Sequence, residues 1–282
     1  MGTLKVPSRS GPLRFLIQVV LLSWILWVVS IGFSRPGHAF LTRLFYAFGG
    51  AVPLILALAY VYKSSSRESP ADFWKRVYSF RRIGTIWYGI LFLTVPALTV
   101  TAAFADRIMG GKGLTLEQAL SSMAGIWPVS LFIIRILFIG PVPEEIAWRG
   151  FAQDRLQTGR SILVSSLIVG LFWTLWHLPL FFIPGTYQHG LGIGTAGFWL
   201  FMGDKIPQSI IIAWIFNHTK RSTLSAILFH FMINLTGEVF NLSPRGEIIL
   251  ILLWYTAALC VILIRRGTGS GKRGTISAPG WF

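Results

Sequence analysis

Long apolar runs separated by short basic or glycine-rich breaks recur along the whole chain, at about residues 13–33, 39–62, 83–105, 124–143, 161–183, 192–216, 221–241 and 247–264. Each is close to the roughly 20 residues that cross a bilayer as an α-helix, so the pattern predicts a bundle of eight transmembrane helices. The breaks alternate in charge. Lys5, Arg9 and Arg14 precede the first run, and Lys63, Arg67, Lys75, Arg76, Arg81 and Arg82 fill the connection after the second. Arg149, Arg155 and Arg160 follow the fourth run, Lys220 and Arg221 the sixth, and Arg265, Arg266, Lys272 and Arg273 the eighth, whereas 184–191 holds no Lys or Arg. Basic residues collect on the cytoplasmic side of membrane proteins, so the alternation predicts a multi-pass chain with both termini cytoplasmic.

Composition narrows the class. The chain is 54% hydrophobic and 12% charged with a mean hydropathy of +0.65, far from a soluble domain. A net charge of +15 could suggest nucleic acid, but the 25 basic residues lie mainly in short segments where they meet anionic headgroups, so no nucleic-acid partner is expected. The first run is longer than a signal-peptide core and lacks a small-x-small cleavage site, which reads as a retained span. Cys260 is the single cysteine and lies in an apolar run, where it serves as a small hydrophobe. The expected organisation is N-terminal helices plus an interfacial segment over 1–123, a helical core over 124–241, a final helix over 242–266 and a disordered basic tail over 267–282. Within the first of these, 106–123 has the mixed polarity of an interfacial helix. A Gly-x-Gly-x-x-Gly match at Gly192, Gly194 and Gly197 lacks the βαβ context of a dinucleotide site and reads as a loop or a close helix contact.

Polar residues inside the apolar runs are where chemistry is to be sought, because such groups are costly in lipid without partners. The strongest interruption is Glu144-Glu145, which opens the run to Arg149 and Gly150. On a helix Glu145 and Arg149 are four apart and can pair, while Glu144 points about 100° away from Glu145. Glu145 then braces the helix, leaving Glu144 to face a cavity as a general base; alternatively, two glutamates just after Pro143 cap a helix start. His230 and Asn234 are also four apart and share one face, suited either to two donors for an oxyanion or to interhelical hydrogen bonds. His177, two residues before Pro179, is a packed histidine or a partner in proton transfer. His189 and His218 fall in expected loops. Asp204 and Lys205, adjacent and so on different faces, mark a break before Pro207 or a cavity mouth, and Arg135 has Asp204 or Glu238 as a partner.

Depth tests whether these groups can meet. At about 1.5 Å per residue, His230 lies roughly 14 Å, Asn234 roughly 20 Å and His177 roughly 24 Å from the inner ends of their spans. Glu144, at the inner end of its run, is too shallow to join them. The conflict disappears if helix continues from a kink at Pro141 and Pro143 through about Gln157, submerging Glu144 and bringing Asp154 and Arg155 to the cytoplasmic surface.

Glu144-Glu145-x-x-x-Arg149, an aromatic-x-x-x-His ending at His177, and His230-x-x-x-Asn234, in that order on successive helices, resemble the glutamic-type intramembrane endopeptidases of the CAAX-protease and bacteriocin-processing group. Trp148-Arg149-Gly150-Phe151 and the stretch from Trp214 through Asn217, Thr219 and Ser222 are similar to a bacterial and archaeal branch of it. The resemblance covers about residues 120–240. It departs from the pattern once: the second motif usually opens with Phe, and Trp173 stands there, keeping a large aromatic surface. The resemblance implies a prokaryotic plasma-membrane protease in which Glu144 and His177 activate water, His230 and Asn234 stabilise the oxyanion, and Glu145 and Arg149 give structural support. Membrane lipids and a peptide or membrane-protein substrate, a prenylated one being an option, are the implied partners. No cofactor is expected. An older reading makes such motifs a zinc site, here Glu144, His177 and His230, but the spacing lacks a local His pair and Asn is a poor zinc ligand. A non-catalytic membrane partner or bacteriocin-immunity factor built on the same cavity is the alternative from another class; a transporter lining its path with Asp204, Lys205 and Arg135 would need inverted repeats, which are absent from the sequence.

Overall fold

A computed structural model describes residues 11–63, 69–115 and 126–268 of the 282. In chain order its helices are α1 (Gly11–Gly32), α2 (Ala39–Lys63), α3 (Pro70–Tyr78), α4 (Thr85–Ile108), α5 (Ile126–Ile139), α6 (Pro141–Ala147), α7 (Ile162–Trp176), α8 (Tyr187–Leu191), α9 (Ala196–His218), α10 (Thr223–Val239) and α11 (Pro244–Thr268). The apolar runs are helical where they are described, the fourth being divided at Gly140 into α5 and α6. By length and composition α1, α2, α4, α7 with its 3₁₀ extension to Phe182, and α11 are long and apolar enough to cross a membrane, and α10 is a shorter apolar helix. The protein is an all-α integral membrane protein.

Local chemistry starts these helices where they start. Ser161, Thr195 and Ser222 each accept a hydrogen bond from the backbone N–H three residues on, at 3.2, 3.1 and 3.2 Å, capping α7, α9 and α10. The faces are apolar all round, as lipid requires. α1 buries Phe15, Leu16, Val19, Ser23 and Trp27 against the bundle while leaving Ile17, Leu21, Ile25 and Val28 exposed. Contiguous exposed aliphatic rows of this kind are what a membrane-spanning helix presents to acyl chains.

At the centre lies α6. It runs on without a break through a π-helical turn, Trp148–Gln153, into a last turn, Asp154–Leu156, and every residue from Pro143 to Asp154 is buried. The kinked extension expected beyond Pro143 is therefore present. Its far end differs from expectation: Asp154 is buried rather than at a surface, because Arg221 pairs with it and the fully buried Arg76 lies 3.7 Å away. Arg76 also donates to the Gly150 carbonyl at 3.2 Å, so α3 is clamped onto the π turn.

Three other expectations need correction. Residues through Ile108 complete α4, and Leu114–Thr115 (β1) pairs antiparallel with Asn241–Leu242 (β2), so an interfacial helix does not begin at 106 and α10 stops at Val239. The cause is Asp106, whose carboxylate accepts from the Gly113 N–H at 3.0 Å and from Ser243 Oγ at 2.9 Å and ties both strands together. Residues 116–125 and the tail from 269 lie outside the described residues. Second, α9 is continuous across Asp204, Lys205 and Pro207, because the flexible lysine folds back to place Nζ 2.6 Å from Asp204 Oδ1. Third, His189 lies in α8 and His218 ends α9, its ring packed between Trp87 and Trp214. Gly192 and Gly194, with φ of 76° and 73°, form the turn between α8 and α9, and Gly197 lies in the first turn of α9 close to Leu191, so the glycine match is a loop and a close contact.

Candidate active site

The residues singled out on α6, α7 and α10 meet around one indole. Trp173 on α7 is 1% exposed, and its Nε1–H donates to Glu144 Oε2 at 2.6 Å. Its own carbonyl oxygen lies 2.7 Å from His177 Nδ1. A carbonyl can only accept, so Nδ1 carries the proton, and Nε2 is the ring nitrogen left to face the site. The His230 ring stands edge-on to the same indole at 5.2 Å. Glu144, His177 and His230 are all buried, and Asn234 is half-buried.

Asn234 joins the group at the α5–α6 break. A β-carbon placed on Gly140 would sit 3.0 Å from Asn234 Nδ2 and 3.6 Å from Glu144 Oε1, so amide and carboxylate flank one point just above a residue without a side chain. Gly140 precedes Pro141, and the absence of Cβ there lets α10 bring its amide close to the turn.

Glu145 and Arg149 form the expected i, i+4 pair, Arg149 Nη1 donating to Glu145 Oε1 at 2.7 Å with both side chains inaccessible. The same oxygen also faces His230 Nδ1 at 2.9 Å, a contact that the sequence did not suggest. A carboxylate accepts, so His230 Nδ1–H is committed to Glu145 and the ring is held with Nε2 directed away from it. The Arg149 guanidinium in turn lies over the Trp173 face, 4.9 Å from the ring centre. Glu145 thus links the helix brace to the orientation of His230.

Two residues named in the sequence take places at the site that were not expected of them. Lys205 reaches in from α9, its ammonium 3.9 Å from the Phe201 ring centre and 5.5 Å from that of Trp173, and the Phe201 ring packs edge-on against His177. Its signal was the charge itself in an apolar helix. Trp173 was read only for its packing surface, though its signal was present as the one departure from the motif pattern. Arg135, for which two partners were open, pairs with Glu238 at 2.8 Å.

Zinc fits these residues poorly. Glu144 Oε2 is committed to the indole N–H, and among the described residues no three His, Cys, Asp or Glu side chains are arranged to hold a metal ion.

A buried carboxylate, two oriented imidazoles and an amide thus come together inside an apolar helical bundle. Comparison with known proteins finds similarity to one family. Residues 126–236 match the family model described as type II CAAX prenyl endopeptidase Rce1-like. The chain is also 28% identical over 261 residues, 90% of its own length and 94% of the relative's, to CAAX prenyl protease 2 of Methanococcus maripaludis. The chain is thus similar to proteases of the CAAX group, over residues 126–236 by the family model and over most of its length by this relative.

Proposed function

We propose that the protein hydrolyses a peptide bond near the carboxyl terminus of a prenylated substrate, using Glu144 and His177 to activate water and His230 and Asn234 to hold the oxyanion. The observation that carries this reading is the convergence of Glu144, His177 and His230 on Trp173, with Asn234 beside Glu144 at Gly140. The relative's name supports the prenylated class, in which a lipidated cysteine lies three residues from the carboxyl end. The bilayer would hold the lipid tail while the peptide reaches the bundle, from the cytoplasmic face if the basic connections set the orientation.

Water placed between Glu144 and His177 Nε2 loses a proton to Glu144 as its oxygen attacks the carbonyl carbon. Negative charge moves onto the carbonyl oxygen, where Asn234 Nδ2–H and His230 Nε2–H donate to it. Because Nδ1–H of His230 is already committed to Glu145, donation from Nε2 requires the ring with both nitrogens protonated, and Glu145 is the counter-charge. Collapse breaks the C–N bond, and the proton held by Glu144 passes to the leaving amine. The products are a carboxylic acid and an amine, which exchange one proton to leave as carboxylate and ammonium.

The test uses purified protein in lipid vesicles with a fluorogenic farnesylated peptide ending in Cys-aliphatic-aliphatic-X. Glu144→Gln keeps the shape and the contact with Trp173 but cannot take a proton; cleavage is expected to fall by at least ~100-fold with the melting temperature retained. Wild-type turnover by this variant would overturn the assignment.

A further inference from the structure

We propose that the indole N–H of Trp173 is a positioning donor that fixes the plane of the Glu144 carboxylate, so that Oε2 is held and Oε1 is aimed at the space shared with Asn234. The inference rests on the reading of Glu144 as the base and adds a requirement to it.

The terminal torsion of a glutamate is broad and roughly two-fold, so its rotamer alone does not set which way the carboxylate plane faces. Something must hold it. Among the described residues, Trp173 Nε1 donates a hydrogen bond to a Glu144 side-chain oxygen, at 2.6 Å. With Oε2 held there, Oε1 lies on the side of Gly140 and of the Asn234 amide. A carboxylate free to spin would instead share its time between orientations, and misplacement on the scale of an ångström weakens catalysis strongly.

The indole is itself held from several directions. Arg149 covers its face at 4.9 Å, the Lys205 ammonium lies 5.5 Å from it, and the His230 ring abuts it. The backbone carbonyl of the same residue takes the Nδ1–H of His177. One residue therefore orients Glu144 through its side chain and His177 through its main chain, linking both groups proposed to activate water. A phenylalanine at this position would fill most of the volume and retain the carbonyl contact, yet offer Glu144 no donor.

That difference separates positioning from packing. Trp173 is replaced by benzothienylalanine, which keeps the bicyclic shape and substitutes sulfur for the N–H, and in a second variant by Phe; each is assayed beside Glu144→Gln with the same farnesylated peptide. Expected for both Trp173 variants is a kcat lower by roughly 10- to 100-fold with KM unchanged, since the lost bond is to an enzyme carboxylate rather than to substrate. The melting temperature of the benzothienylalanine protein should match wild type. If Glu144→Gln is inactive while the benzothienylalanine protein turns over at the wild-type rate, the positioning role is refuted and the base assignment stands. A raised KM with unchanged kcat also refutes it, assigning Trp173 to substrate binding. Full activity of Glu144→Gln would overturn both.

Discussion

Replacing Arg149 by methionine is the sharpest perturbation of the α6 brace. The guanidinium and the Glu145 carboxylate are both wholly inaccessible and 2.7 Å apart. Arg149 Nε and Nη2 and Glu145 Oε2 meet no hydrogen-bond partner among the described residues, so each charge leans heavily on the other. Methionine fills most of the space but leaves Glu145 facing His230 alone. Breaking a buried pair by removing one partner costs about 3–5 kcal/mol. At about 2 °C per kcal/mol for a chain of this length, the melting temperature should fall by about 6–10 °C. Adding Glu145→Gln removes the stranded charge, and the double variant should recover to within about 3 °C of wild type, because neutral replacement of a whole buried pair is often nearly neutral in stability. Cleavage should not recover with it, since His230 Nδ1 would then face an amide rather than a carboxylate. Tryptophan fluorescence or a thiol-free dye melt in vesicles, together with turnover of the farnesylated peptide, reads both quantities. An Arg149→Met protein melting within about 2 °C of wild type would refute the argument that the pair holds the helix.

Gly140→Ala should slow cleavage by roughly tenfold or more while leaving the melting temperature nearly unchanged. Its Cβ would press on Asn234 Nδ2 at 3.0 Å, and that half-buried amide can swing away; kcat at the wild-type value would show that the amide is not needed there. Exchanging charges in Arg135→Glu with Glu238→Arg should restore whatever either single change loses, by thermal melt, with single losses below about 1 kcal/mol because the pair is 48% and 45% exposed. Additive losses in the double variant would deny the pairing. Prolonged exposure to a chelator should leave turnover intact; loss reversed by zinc would make Glu144, His177 and His230 ligands instead.

The all-helical membrane class was legible because lipid imposes one simple demand, an apolar stretch of sufficient length between charged breaks, and five described helices meet that length. The pairing of Glu145 with Arg149 was legible too, since it depends only on helical spacing of four. So was the continuation of α6 beyond Pro143, from a mismatch of depths. Boundaries failed where a tertiary contact overrode local pattern: Asp106 draws the end of α4 into a strand pair, and Lys205 curls onto Asp204 so that α9 needs no break.

Residue types and intervals along the chain therefore determined which side chains could do chemistry and which helix each stands on, because hydropathy and helical periodicity are properties of nearest neighbours. Only the tertiary structure decided how those side chains face one another. His230 is bound to a carboxylate 85 positions earlier, and Glu144 to an indole 29 positions later. Such bonds depend on how three helices cross and rotate in the packed bundle, and no spacing within a single helix encodes that.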